Sequence, residues 1–250
     1  MNEENTKFLE SLKAYNKENL SADIWVPSLE REVTFLPMTA KHQKYVIHST
    51  LDNPIFGVIF RQKSYDMIKE LCEEQAIVDT LTVFDKDAIL IQFRYHFVSK
   101  EYKGKSMKPL LKAIKKIKED FSPIQNTKDG FKIDYCIPTI LEERNLYKAY
   151  SKTDSYVIAP DDDNQIREMV SELYMLELVK YVTKMTIVDK DISMSFKGQP
   201  IAHVLDIAEH VGKEVCNKIQ DTIEAMIDDH SPMYQIDDDT RVEINPELFT

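Results

Sequence analysis

The sequence predicts an α+β fold, mainly helical, with an N-terminal β-hairpin and short strands in the middle and at the C-terminus. Three observations lead there. Apolar residues recur at helical spacing in several segments, above all 200–228, where Ile201, Val204, Leu205, Ala208, Val211, Val215, Ile219, Ile223 and Met226 share one face. Two β-rich runs, D-I-W-V-P-S and E-V-T-F-L-P-M-T, stand side by side near the start, and the remaining β-rich runs are short.

Taken in order, residues 6–18 place Phe8, Leu9, Leu12 and Tyr15 at helical spacing behind Asn5 as a cap. The runs at 23–28 and 32–39, joined by Leu29, Glu30 and Arg31, read as the hairpin. Pro27 and Pro37 make both of them edge strands, since proline cannot donate to a ladder. Thr39 then caps a helix over 40–51, and Asn53-Pro54 opens another that reaches Glu74 with a break near Gly57 or Ser64.

The stretch 81–99, L-T-V-F-D-K-D-A-I-L-I-Q-F-R-Y-H-F-V-S, fits two patterns. Odd positions from Ile89 to Phe97 are apolar and alternate with Gln92, Arg94 and His96, as in a half-buried strand. Equally, Thr82 can cap a helix with Asp85 and Asp87 in its first turn, followed by Phe84, Ala88, Ile91 and Tyr95. Periodicity does not decide between them.

Beyond this run, 107–121 predicts a helix with Met107, Leu110, Leu111, Ile114, Ile117 and Phe121 on one face and Lys108, Lys112, Lys115 and Lys116 opposite. Strands follow at 131–137 and 155–159, then a D-D-D-N turn whose Asp163 caps a helix over about 164–185. Residues 186–196 read as a turn at Asp189-Lys190-Asp191 leading into a strand. The helical region 200–228 breaks at Gly212, and R-V-E-I-N-P-E-L-F-T ends the chain as a short strand. The expected division is an N-terminal unit, 1–125, of hairpin plus helices and a C-terminal unit, 126–250, of short strands plus a helical lobe, with a single domain as the alternative.

Composition narrows the function. The 43% hydrophobic and 30% charged content is that of a globular chain, with no stretch long enough to span a membrane and no signal peptide in the first twenty residues. Cys72, Cys136 and Cys216 lie far apart without zinc-ligand spacing, which points to a reducing compartment. A net charge of −11 argues against a general nucleic-acid binder. Charge is nonetheless segregated: 100–118 holds eight lysines, while from 219 on nine Asp/Glu face only Arg241.

Motifs for chemistry are sparse. The five glycines form no phosphate-cradling loop, and no GxSxG or HExxH occurs. D-K-D occurs at 85–87 and at 189–191 and could hold a divalent metal in a transferase or nuclease. Aspartates at a helix start and in a turn explain both without one. His203, His210, Asp206 and Glu209 read as a solvated helix face. No catalytic, cofactor-binding or metal-binding residue is therefore assigned, and no enzyme is expected. Lys108, Lys112, Lys115 and Lys116 are candidates for docking an acidic partner, another copy of the chain included, or as an alternative an anionic polymer. The basic face lacks interleaved aromatics, which weighs against nucleic acid.

Three segments together resemble the T4-type bacteriophage baseplate hub proteins, the family that includes the hub assembly catalyst. They are W-V-P-S-L-E-R-E-V-T-F-L-P-M-T-A-K-H-Q-K at 25–44, the Thr-capped apolar run carrying Arg94, and Y-M-L-E-L-V-K-Y-V at 174–182 with the terminal V-E-I-N-P-E-L-F. The resemblance favours helix for 81–99 and makes Arg94 a candidate for a structural ion pair. It breaks at Lys100, where the family has short strands and this sequence predicts the lysine-rich helix. It implies a chaperone-like role without chemistry: binding hub or tape-measure proteins while the tail baseplate forms, in the host cytoplasm or as part of the virion baseplate. Trp25 and Phe35 of the hairpin join the four lysines as candidate partner contacts.

Overall fold

The structure is a computed structural model that describes residues 3–52, 57–118, 124–128, 130–153, 156–157 and 162–249. The first helix, α1 (Glu3–Leu20), follows the predicted spacing but leaves Phe8, Leu12 and Tyr15 exposed at 68%, 43% and 58%. Lys17 ties its last turn to Glu73 at 3.0 Å.

The hairpin forms as expected from β1 (Ala22–Val26) and β2 (Arg31–Phe35), paired from Ala22↔Phe35 to Val26↔Arg31. A 3-10 turn at Pro27–Leu29 joins them and closes on Glu30, whose φ of 48° lies in the left-handed region. Ile24, Val26, Val33 and Phe35 all face the core, as the two-residue strand period requires.

Helix α2 (Ala40–Asp52) starts behind Thr39, where the Nδ1 of His42 accepts the Thr39 N–H at 3.1 Å. Helix α3 (Val58–Leu71) begins at Gly57, whose φ of 60° suits glycine; the Asn53-Pro54 start lies outside the described residues. It stops short of Glu74 because Cys72 is extended and bridges to Phe35.

The ambiguous run is helix α4 (Val83–Phe93), continued by a π-helical turn over Arg94–Val98. Every residue of α4 is buried except the half-buried Asp87. A helix enclosed on all sides needs no polar face, so the 3.6-residue signal in its sequence is too weak to outweigh strand alternation.

Next, β3 (Glu101–Tyr102) and β4 (Lys105–Ser106) make a minimal hairpin before α5 (Lys108–Ile114). The long lysine-rich helix expected over 107–121 is therefore a seven-residue helix. Its backbone tightens into i→i+3 bonds at Lys116 and Ile117. The packing face is as expected, with Met107, Leu110, Ile114 and Ile117 buried; Phe121 lies outside the described residues.

Strands β5 (Ile124–Lys128) and β6 (Phe131–Tyr135) lead to α6 (Ile140–Tyr150), α7 (Asp163–Val179), β7 (Val182–Ile187) and β8 (Ile192–Ser195). The four strands form one antiparallel sheet in the order β5-β6-β7-β8. Helix α7 ends at Val179 rather than near 185 because the following residues are drafted as an inner strand between β6 and β8. Its cap is Asp162, whose Oδ1 accepts the Asn164 N–H at 2.9 Å, not Asp163. Tyr156 and Val157 are not in a strand, and the rest of 155–159 lies outside the described residues.

Helices α8 (Ile201–His210) and α9 (Lys213–Asp228) divide at Gly212 as predicted, and β9 (Gln235–Asp237) with β10 (Thr240–Arg241) forms a last small hairpin. Among the described residues of the expected terminal strand, only Arg241 is extended in a ladder. Pro246–Phe249 is a 3-10 turn that the Asn245 side chain starts by accepting the Glu247 N–H at 3.0 Å. The result is a mainly helical α+β architecture with four small antiparallel sheets among the described residues. One apolar cluster runs from Ile24 through α4 to Phe249, and a second joins Val58, Tyr147, Tyr150, Leu173, Leu176 and Leu205.

Candidate functional site

The polar residues of α4 organise the interior. Thr82 and Asp85 form a capping box: Asp85 N–H donates to Thr82 Oγ1 at 3.0 Å, and Thr82 N–H donates to Asp85 Oδ2 at 2.9 Å. Asp85 also accepts the backbone N–H of Ser28 at 2.9 Å and the Ser28 hydroxyl, which holds the turn of the β1–β2 hairpin. Gln92 brackets Trp25, accepting its N–H at 3.0 Å and donating to its carbonyl at 2.8 Å. Arg94 donates to the carbonyls of Glu101 and Leu248 and lies 5.4 Å from the Tyr102 ring centre.

Helix α6 begins with a matching box, Thr139 with Glu142. The two helix starts lie side by side, joined by a bridge between Thr82 and Thr139 and by the bonds Val83 N–H to Pro138 O and Ile140 N–H to Leu81 O. That pairing brings the next residue of each helix together, so buried Lys86 meets buried Glu143. Lys180 completes the group, 3.1 Å from Glu143 and 2.6 Å from Glu177, and Glu177 also bonds Arg61 and the Tyr147 hydroxyl. Asp87 accepts from Tyr234 at 2.7 Å.

Three cations, Arg61, Lys86 and Lys180, thus face three carboxylates, Asp87, Glu143 and Glu177. Burial pushes the Glu143 carboxyl upward in pKa, but Lys86, Lys180 and Arg61 outweigh it and hold the group well below the usual carboxylate range. The same contest leaves Glu177 at about 2, with Lys180 and Arg61 overcoming its burial. For Asp87 burial prevails over Lys86 and Tyr234, and its pKa is raised.

Beside this node lies a cavity of about 330 Å³. The Glu143–Lys180 pair, Leu146, Val179 and Phe196 line it, together with an exposed ion pair between Lys197 and Glu142. Its charges are paired with one another, so it presents apolar wall more than unmatched charge.

The lysines lie elsewhere. Lys108, Lys112, Lys115 and Lys116 are all exposed, and Lys115 bonds Glu32 at 2.8 Å while lying 5.7 Å from the half-buried Trp25 ring. The structure therefore brings Trp25 to the lysine surface. Phe35 it does not: that side chain is fully buried, edge-on to Phe93 at 5.2 Å, and its proposal as a partner contact is corrected, because the alternation of β2 turns it into the core. Lys105 bonds Asp237 at 2.7 Å, so this basic segment meets the acidic C-terminal region within its own chain. Replacing Lys108, Lys112, Lys115 and Lys116 by glutamine should move the melting temperature by no more than about 3 °C, since exposed charges contribute little. A thermal melt checks it, and a larger drop would assign the lysines to the fold.

Of the two D-K-D sequences, Asp85 and Asp87 are engaged in the bonds above, whereas Asp189 and Asp191 are exposed at a turn where Asp191 takes a φ of 52°. His203, Asp206, Glu209 and His210 are exposed on α8. No helix among the described residues is long and apolar enough to cross a membrane. The ionic node escaped sequence reasoning, although its two T-x-x-[DE] capping signatures, T-V-F-D and T-I-L-E, were open to view. Comparison of the chain with protein-family models, curated proteins and solved structures finds no match.

Proposed function

We propose that this chain is a non-enzymatic assembly protein of a bacteriophage tail, related to the T4-type baseplate hub proteins, which binds hub or tape-measure proteins while the baseplate forms. One observation supports the reading most: the segments that carry the resemblance are far apart in sequence yet are all tied to α4. Ser28 and Trp25 are held by Asp85 and Gln92, Leu248 by Arg94, and Lys180 through Glu143 to Lys86. Residues joined in this way belong to one structural core, so the three segments are parts of a single arrangement around α4.

The role needs a surface for partners, and α1 offers one. Phe8, Leu12 and Tyr15 form an exposed apolar stripe suited to the groove or helix of another protein. The work is done in the host cytoplasm, and a copy retained in the particle would sit in the virion baseplate.

The test is complementation of a phage from which this gene is removed. Infection without it should yield incomplete tails lacking hubs, and supplying the wild-type chain should restore plaques. Phe8→Ser/Leu12→Ser/Tyr15→Ser should fold normally and restore them at least tenfold less well. Complete, infective particles assembled without the chain would overturn the reading.

A further inference from the structure

Two surface stripes of opposite charge remain without an ion pair among the described residues. On the first, Lys108, Lys112 and Lys116 follow one another at four-residue steps along α5 and the turn after it, all exposed. On the second, Asp221, Glu224 and Asp228 run along the outer face of α9 at steps of three and four residues, all exposed. The opposite face of α9, Val215, Ile219, Ile223 and Met226, is locked in the core, so the acidic stripe is fixed in direction. The α5 side is fixed likewise by Met107, Leu110 and Ile114.

The repeats match. At about 1.5 Å per residue, steps of three or four residues set the charges roughly 5–6 Å apart along α9 and between Lys108 and Lys112 along α5, with Lys116 following in the turn after it. Within one copy, none of the three lysines is within ion-pair distance of an α9 carboxylate, while the neighbouring Lys105 and Lys115 have found carboxylates, Asp237 and Glu32.

We infer that the lysine stripe of one copy docks on the α9 stripe of a second copy, so that the chain associates head to tail with itself. The inference needs no phage partner and stands apart from the assembly reading. The two patches are different surfaces, so the contact is heterologous: a pair of copies keeps one free lysine stripe at one end and one free acidic stripe at the other, and the association continues into a ring or a filament. Every copy carries a net charge of −11, so whole-molecule repulsion opposes the contact and local complementarity must drive it.

Sedimentation of the purified chain tests this. The mass should rise above the 29.2 kDa monomer as concentration increases. Lys108→Glu/Lys112→Glu/Lys116→Glu and Asp221→Lys/Glu224→Lys/Asp228→Lys should each remain monomeric, and an equimolar mixture of the two should associate again. Restoration on mixing also shows that both variants are folded. As a control for net charge, Lys148→Glu/Lys152→Glu/Lys190→Glu should associate nearly as wild type. A wild type that stays monomeric at every concentration, a mixture that fails to associate, or a control that loses association as fully as the lysine-stripe variant would each overturn the inference.

Discussion

Replacing Glu143 by leucine should remove about 3–5 kcal/mol of stability and lower the melting temperature by about 10 °C or more. Glu143 is the carboxylate to which Lys86 and Lys180 both bond inside the protein, and Lys86 is as well buried as its partner. Without it Lys86 keeps, among the described residues, only the carboxylate of Asp87, at 3.8 Å. The effect should come from the stranded charge rather than from the lost bond, so Lys86→Met/Glu143→Leu should recover much of the stability, while Lys180 retains Glu177. Denaturant unfolding of the three proteins measures this, and equal losses in the single and double variants would contradict it.

The same node sets an acid limit. The carboxyl of Glu177 titrates at about 2 in the folded protein against an ordinary value of 4.5, and Glu143 is depressed in the same direction. Groups with depressed pKa contribute stability that is present above the unfolded value and is lost as pH falls through the folded one. Wild type should therefore lose stability from about pH 4.5 toward pH 2, and Glu143→Leu should lose less across that window. Asp85 and Asp87, raised by burial, work in the opposite direction and soften the loss.

The second large effect belongs to Arg94. Arg94→Met should cost about 3 kcal/mol, because the carbonyls of Glu101 and Leu248 would lose their charged donor in a dry setting. The loss should also be local. Amide hydrogen exchange should accelerate around Leu248 and Phe249 before it does in α4, and Arg94→Lys should fall between the two, since one ammonium cannot reproduce the planar fork. Uniform acceleration over the whole chain would show that Arg94 does not specifically hold the terminal turn.

Features governed by neighbours in sequence were legible. The hairpin, the Thr82 cap and the break at Gly212 each follow from a few adjacent residues. What escaped is what distant residues impose. The I-Q-N-T-K of β5 has no strand pattern of its own and becomes extended by pairing with β6. The helix expected to run to 185 is cut short because the residues after Tyr181 supply an inner strand. Lys86 and Glu143 are 57 positions apart, and no periodicity could announce their meeting. The direction of Phe35 was open to the two-residue period; that of α1's apolar stripe, left uncovered, was not.

The bonds that close the core span long stretches of chain: 57 residues from Ser28 to Asp85, 67 from Trp25 to Gln92 and 154 from Arg94 to Leu248. Each demands that a large loop be shut before any reward is felt, and helix content, which usually goes with quick folding, does not shorten that search. The refolding rate should therefore resemble that of a β-rich protein rather than a helical bundle. For as long as it lasts, the apolar length of α4 stays open to water and to other chains.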